Sequence, residues 1–205
     1  MLQPLVKSIQ ERVQGLSAHA WYLDDGTFVG KEEELEQVLD ILVREGPARG
    51  LVLSTTITSP NNPKTTVWSK EVETRPAALL AKGAVWIEDE GINLLGAPIG
   101  TREYVEEEVR KKVEKVRVVT ELLPLLQDPH VEFVLLRSCL SMPKFSFVLR
   151  TTDTTDIVHL LRDFDAVTRD GLARILGTAL DDQTWQQAKM PVSLGGMGLR
   201  AAEDH

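Results

Sequence analysis

The residues of this 205-residue chain best suited to chemistry are Tyr22-Leu23-Asp24-Asp25-Gly26. Two ionised carboxylates about 4 Å apart repel by about 1 kcal/mol in water and about 4 kcal/mol at an effective dielectric of 20. On a turn open to solvent the pair is tolerated; in a cleft it requires a proton or a cation. Hard divalent ions such as Mg²⁺ are held by one or two carboxylates together with phosphate oxygens, so the pair suits a nucleotide–metal site. A solvated Asp-Asp-Gly turn is the plainer reading of the same residues. Strand alternation places Asp24 on the side of Tyr22 and Asp25 on the side of Leu23, which predicts unequal work for the two acids. Asp181-Asp182-Gln183-Thr184 carries a second acidic pair, but it opens a predicted helix, where acids cap free N–H groups.

A second constellation is cationic. Arg110, Lys111, Lys112, Lys115 and Arg117 share one predicted helix opposite a valine seam, where they could face phosphates. Glu106, Glu107, Glu108 and Glu114 interleave with them, and the same pattern reads equally as a solvated, self-neutralised face. The remaining candidates are weaker. Gly195-Gly196-Met197-Gly198 lacks the Lys-Ser/Thr and the preceding strand of a phosphate loop. The four histidines are too scattered for a zinc site. Cys139 is expected to be buried on an apolar helix face, His159 to sit on the helix of Leu160 and Leu161 at the boundary between core and solvent, and Trp68 and Trp86 to serve the core.

The elements that must position these residues follow from periodicity. Leu2 to Val13 reads as a helix, and Ala18–Leu23 with Thr27–Gly30 as a hairpin turning at Asp25-Gly26. Lys31 to Glu45 carries a clean amphipathic stripe. Gly50–Leu53, Lys64–Trp68, Ala84–Ile87 and Ile92–Leu95 read as strands, the last two as a pair, punctuated by Gly96–Gly100. From Thr101 the chain is helical: one long helix to about Pro124, a second from Val131 to Met142, a third closed by Gly177, and a short fourth over 181–189. The class is α+β, an open sheet followed by a helical bundle.

Composition bounds the function. Hydrophobic residues make up 42% and charged residues 26%, as in an ordinary folded protein. No apolar run approaches the ~20 residues of a bilayer span, and no secretory signal is recognised at the start. A single cysteine points weakly to a reducing compartment, cytoplasm or nucleus. The net charge of −8 argues against tight nucleic-acid binding by this chain alone.

Taken in order, the motifs resemble those of reverse transcriptases of the non-LTR retroelement type, in their C-terminal palm and thumb. Trp21-Tyr22-Leu23-Asp24-Asp25-Gly26 resembles the Tyr-x-Asp-Asp signature. Gly50-Leu51-Val52-Leu53 followed by Lys64 resembles the next motif, and Leu94-Leu95-Gly96-Ala97-Pro98-Ile99-Gly100 the primer-grip turn. Leu2-Gln3-Pro4-Leu5 is similar to a helix end after the Gln-Gly-Asp-Pro motif, and Pro191–Arg200 to the closing segment of such reading frames.

The resemblance implies a partial polymerase palm over residues 1–100, an antiparallel sheet with flanking helices, and a helical thumb or connection over 101–205. It implies Asp24 and Asp25 as ligands of a two-Mg²⁺ centre for nucleotidyl transfer, and Lys64 beside the incoming triphosphate. Tyr22, Gly96, Pro98 and Ile99 would line the primer end, and Arg110, Lys111 and Lys115 would meet template-primer phosphates. Template-primer RNA or DNA and dNTP are the implied partners, with a protein partner covering the open palm edge. Fingers and the first palm aspartate fall outside these motifs, so the chain alone is expected to be inactive. The alternative is a non-catalytic, domesticated remnant that serves as a protein-interaction module.

Overall fold

A computed structural model describes residues 2–70 and 75–204. The chain is α+β and separates into two compact units, Met1–Asp89 and Glu90–His205. No helix among the described residues is long and apolar enough to cross a membrane.

In the first unit, α1 (Gln3–Arg12) carries Pro4 in its first turn, where the missing N–H has no helical partner to lose, and buries Leu5 and Ile9. A hairpin follows, β1 (Ala18–Tyr22) against β2 (Asp25–Val29). Helix α2 (Glu32–Glu45) opens with three glutamates that complement its dipole and buries Val38, Ile41 and Leu42. The buried faces of α1 and α2 form one cluster against which Trp21 and Phe28 pack, so the hairpin is anchored by its aromatic base. Beyond it, β3 (Thr66–Val67) pairs parallel with β4 (Val85–Trp86), and α3 (Ala77–Ala81) lies between them in sequence.

The α+β class holds, but the strands pair locally instead of forming one open sheet. Among the described residues they make three separate two-stranded pairs. Gly50–Leu53 forms no strand. Leu51 and Leu53 pack against the α1–α2 cluster, while the Leu51 N–H donates to Gly46 O and Ser54 O accepts from both Lys64 and Thr65 N–H. Its apolar alternation reflects burial, and its hydrogen bonds go to turns. The expected pairing of Ala84–Ile87 with Ile92–Leu95 is also corrected: Val85–Trp86 takes Thr66–Val67, and residues 91–94 pair forward with 97–100.

The second unit begins with that hairpin, β5 (Gly91–Leu94) and β6 (Ala97–Gly100). Its two-residue loop, Leu95 and Gly96, has φ of 50° and 91°; positive values at both positions define the turn that matches strand twist, and Gly96 adopts its value without a Cβ clash. Helix α4 (Arg102–Glu121) is capped by Thr101, whose hydroxyl accepts from the Tyr104 N–H. Pro124 sits in a 3₁₀ turn, Leu123–Leu126, that ends this helix as expected. Then come α5 (Pro129–Leu135), a π turn (Leu136–Leu140), α6 (Met142–Thr151), α7 (Val158–Leu176) closed by Gly177, and α8 (Asp182–Lys189). Asp181 caps α8 by accepting from the Thr184 N–H, so the second acidic pair is structural.

The valines of α4 (Val109, Val113 and Val116) meet Phe145 and Val148 of α6 and Leu160, Leu161, Phe164 and Val167 of α7 in one cluster. Two expectations are revised here. The helix expected over Val131–Met142 ends at Leu135, and α6 starts afresh with Pro143 in its first turn, a pattern that favours initiation over continuation. Cys139 is exposed on the intervening π turn, because the extra residue there rotates it off the apolar face.

Gly171 lets α7 approach its neighbours closely. A Cβ at this position would lie 2.7 Å from Thr120 Cγ2 and 3.2 Å from a Leu136 methyl. Gly171→Ala is therefore expected to destabilise the unit by about 1–2 kcal/mol, although intrinsic helix propensity favours Ala by about 1 kcal/mol. Urea unfolding measures the change, and Thr120→Ser in the same chain should recover most of it by removing the opposing methyl.

Candidate functional site

The β1–β2 hairpin presents the acidic pair at its tip. Tyr22 pairs with Asp25 and Trp21 with Gly26. The tight turn therefore consists of Leu23 and Asp24, two residues before the expected Asp25-Gly26. Leu23 takes φ of 56°, a left-handed value that is uncommon outside glycine. Burial explains the register: Trp21 and Phe28 meet edge to face at 5.5 Å and pack on the helical cluster, and only this pairing seats both. The alternation argument is corrected as well. Asp25 lies directly across from Tyr22, and cross-strand partners share a face, so Asp25 and not Asp24 accompanies the tyrosine. Tyr22 and Leu23 are 62% and 77% exposed, and both aspartates are exposed, so the tip is open to a large ligand.

Lys64 stands at the end of a loop braced internally. Its N–H and that of Thr65 donate to Ser54 O, and Thr55 and Thr58 bond each other across the turn. The side chain is exposed. Lys64-Thr65 has the end residues of a phosphate-cradling loop, but Thr58 and Pro63 occupy its glycine positions and β3 follows where a helix should begin. Lys64 is thus no part of a Walker-type cradle, and it has no ion pair among the described residues.

No group of three or more His, Cys, Asp or Glu among the described residues can hold a metal ion. Mg²⁺ takes six oxygens, and Asp24 with Asp25 on an open turn supply too few to make a protein-held site. The pair fits a metal only as a contributor to a larger donor set.

In the second unit, the β5–β6 hairpin brings Gly96, Pro98 and Ile99 together, with Pro98 buried and Ile99 exposed. It is tied to α4 by Lys112, whose Nζ donates to Gly96 O at 2.5 Å and lies 5.9 Å from the centre of the Phe147 ring. Burial lowers the Lys112 pKa from its usual value against the pull of Glu108. That tie was not legible in the sequence, since Lys112 looked like one of five equivalent cations. Its neighbours are committed elsewhere. Arg110 pairs with Glu106 and Glu107, Lys111 with Glu108, and Arg117 with Glu114. The bond from Lys111 lowers the Glu108 carboxyl pKa, and that from Glu108 raises the Lys111 ammonium pKa. Lys115 is exposed and has no ion pair among the described residues. His159, which is exposed, places Nε2 3.2 Å from Glu106 Oε1. Most of the cationic face is therefore neutralised by its own helix.

The chain is thus an α+β protein with an open acidic hairpin. Residues 1–162 match the family described as terminase large subunit, T4likevirus-type, N-terminal, and the chain belongs to that family. It is also similar to a retrotransposable element SLACS 132 kDa protein of Trypanosoma brucei gambiense, 26% identical over 179 residues, which is 87% of this chain and 14% of that protein. The chain therefore spans about one seventh of the length of the curated relative it matches. No solved structure matches it.

Proposed function

We propose that this chain is a segment of a retroelement RNA-directed DNA polymerase, carrying the Tyr-x-Asp-Asp hairpin of a nucleotidyl-transfer centre completed by a longer protein. One observation carries the reading: an aromatic-anchored hairpin holds two carboxylates at an open tip beside a tyrosine on the same face as Asp25. Similarity to a retrotransposable element protein over most of the chain supports it. The terminase family and the retroelement relative share the coarser theme of nucleic-acid handling. In the complete enzyme Mg²⁺ would lower the pKa of the primer 3′-hydroxyl and steady the leaving pyrophosphate. Within this chain, Asp24 and Asp25 offer oxygen ligands and Lys64 a cation for phosphate charge.

Mn²⁺ substitutes for Mg²⁺ and broadens NMR signals of nearby nuclei. Titration at millimolar concentrations should broaden the amides of residues 22–26 selectively, and Asp24→Asn should abolish the effect. Broadening centred on the glutamates of α4 instead would remove the support for the reading. Primer extension with Mg²⁺ is expected to fail for this chain alone, and templated synthesis lost in Asp24→Asn would overturn that expectation.

A second reading, the non-catalytic interaction module, is favoured by one surface. Val118, Val119, Leu122, Leu125, Leu126 and Val131 are all more than two-fifths exposed, at the end of α4, in the turn after it and in α5. Contiguous apolar exposure of this kind marks a face that another protein surface covers. On this reading Mn²⁺ broadens no amides of residues 22–26 selectively, and a partner protein protects this face in hydrogen exchange.

A further inference from the structure

Within the second unit, a cleft of about 650 Å³ is lined by Arg137, Arg150 and Arg200 together with Ser138, Ser146 and Leu149. No carboxylate lines it. Arg110, Lys111 and Arg117 are neutralised on their own helix, but none of these three arginines has an acidic partner among the described residues. In a chain of net charge −8 this is an unusual gathering. Like charges on one concave surface raise each other's energy, and an anion seated between them removes that penalty.

The surroundings fit an anion with an apolar body attached. Ser141, which precedes the ten-residue α6, and Met142 and Pro143 of its first turn form part of the wall, and no side chain caps that helix end, so its dipole adds positive potential. Met142 and Leu149 supply an apolar side. The returning tail passes close to the exposed Arg137 side chain. Gly198, at φ 71°, lies so close that a Cβ there would be 3.1 Å from Arg137 Nη2. The volume is within the range of sites that enclose a small organic ligand.

We propose that this cleft binds the phosphate of a nucleotide unit, with Arg137, Arg150 and Arg200 as its charge partners and the Met142–Leu149 side against the nucleoside. The site goes beyond the acidic hairpin and uses none of its residues, so failure here leaves that reading standing, and the reverse.

The same chemistry can come from a free nucleotide or from one unit of a strand. The probe is a fluorescein-labelled oligothymidylate followed by anisotropy, with thymidine monophosphate and unlabelled strand as competitors. Arg150→Gln and Arg200→Gln are each expected to weaken binding about tenfold, and to reduce the slope of log affinity against log salt by about 0.7. Lys7→Gln with Lys31→Gln, two exposed cations of the first unit, should change it less than about twofold, the size expected for charge alone. Displacement by thymidine monophosphate identifies a free-nucleotide site, and displacement by strand alone a strand-tracking one; both support the pocket. Arginine variants that bind as the wild type, equal weakening by the lysine variants, or no binding by the wild-type chain would overturn it. Circular dichroism checks that each surface variant is folded.

Discussion

Asp165→Ala is expected to free the C-terminal segment from α7 and to destabilise the helical unit by about 2–3 kcal/mol. Asp165 is 8% exposed, and its two oxygens accept from the backbone N–H groups of Ala202 at 2.7 Å and Glu203 at 3.0 Å. Ala202 is fully buried, so truncation leaves its N–H without a partner and removes the clasp that seats Leu199 and Ala201. The flanking pair of Arg162 with Glu203 is largely solvated, and Lys189, itself mostly buried, meets a solvated Asp204, so neither restores the lost backbone bonds. Hydrogen exchange is the measurement: protection over residues 199–204 should fall to the level of an open tail, while α7 keeps part of its own. The same segment carries Gly198 and Arg200 into the arginine cleft, so nucleotide binding should weaken along with the tail.

The clasp also sets a pH dependence. Burial, reinforced by Asp204, raises the Asp165 pKa above the usual 3.8, against the bonds from Ala202 and Glu203 and the charge of Lys189. A raised folded-state pKa means that the native protein holds its proton where the unfolded chain has lost it. The stability owed to this group is therefore full below about pH 3.9 and declines as pH rises through the folded-state pKa. Asp165→Asn is neutral throughout and keeps one acceptor. Urea unfolding across this range should show the wild type losing stability relative to the Asn variant as pH rises. A difference independent of pH would show that Asp165 is not the titrating group.

Phe164→Ala should have the largest effect on stability, about 4 kcal/mol. Its ring is fully buried and stacks on Phe145 with centroids 4.3 Å apart and planes 20° from parallel. Around the pair lie Val109, Val113 and Val116 of α4 and Val148 of α6, so the ring is the contact that joins three helices. Truncation opens a cavity on every side and loses the ring pairing, itself about 1 kcal/mol. Phe164→Leu keeps most of the volume and is expected to cost about 1–2 kcal/mol. If the Ala variant unfolded at the wild-type urea concentration, the stacked pair would not be the centre of this core.

Much of the secondary structure was legible in single residues. Leu5, Ile9 and Val13 recur every four residues and mark α1; the valines of α4 do the same; Thr101 and Asp181 announce helix starts and Gly177 a helix end. The break at Pro143 was harder to read, because the apolar run from Val131 continues through it and a π turn leaves no signature in periodicity. Gly50–Leu53 misled for a related reason: alternation signals that side chains are buried, and only a neighbouring strand decides whether the backbone forms a ladder.

By itself the amino-acid order determined that an acidic pair would sit at the tip of a hairpin, because two β-prone runs flank it and an aromatic residue on each side seeks the core. The fold decided which residues make the turn, since burial of Trp21 and Phe28 selects the register and forces Leu23 to a left-handed backbone. Charge followed the same division. Local spacing paired the cations of α4 with acids one turn away. Arg137, Arg150 and Arg200 lie far apart in the chain, and only the packing of α6, the π turn and the returning tail brings them to one cleft. Short-range interactions act within a turn of helix and can be read from sequence; convergence across tens of residues is a property of the packed core.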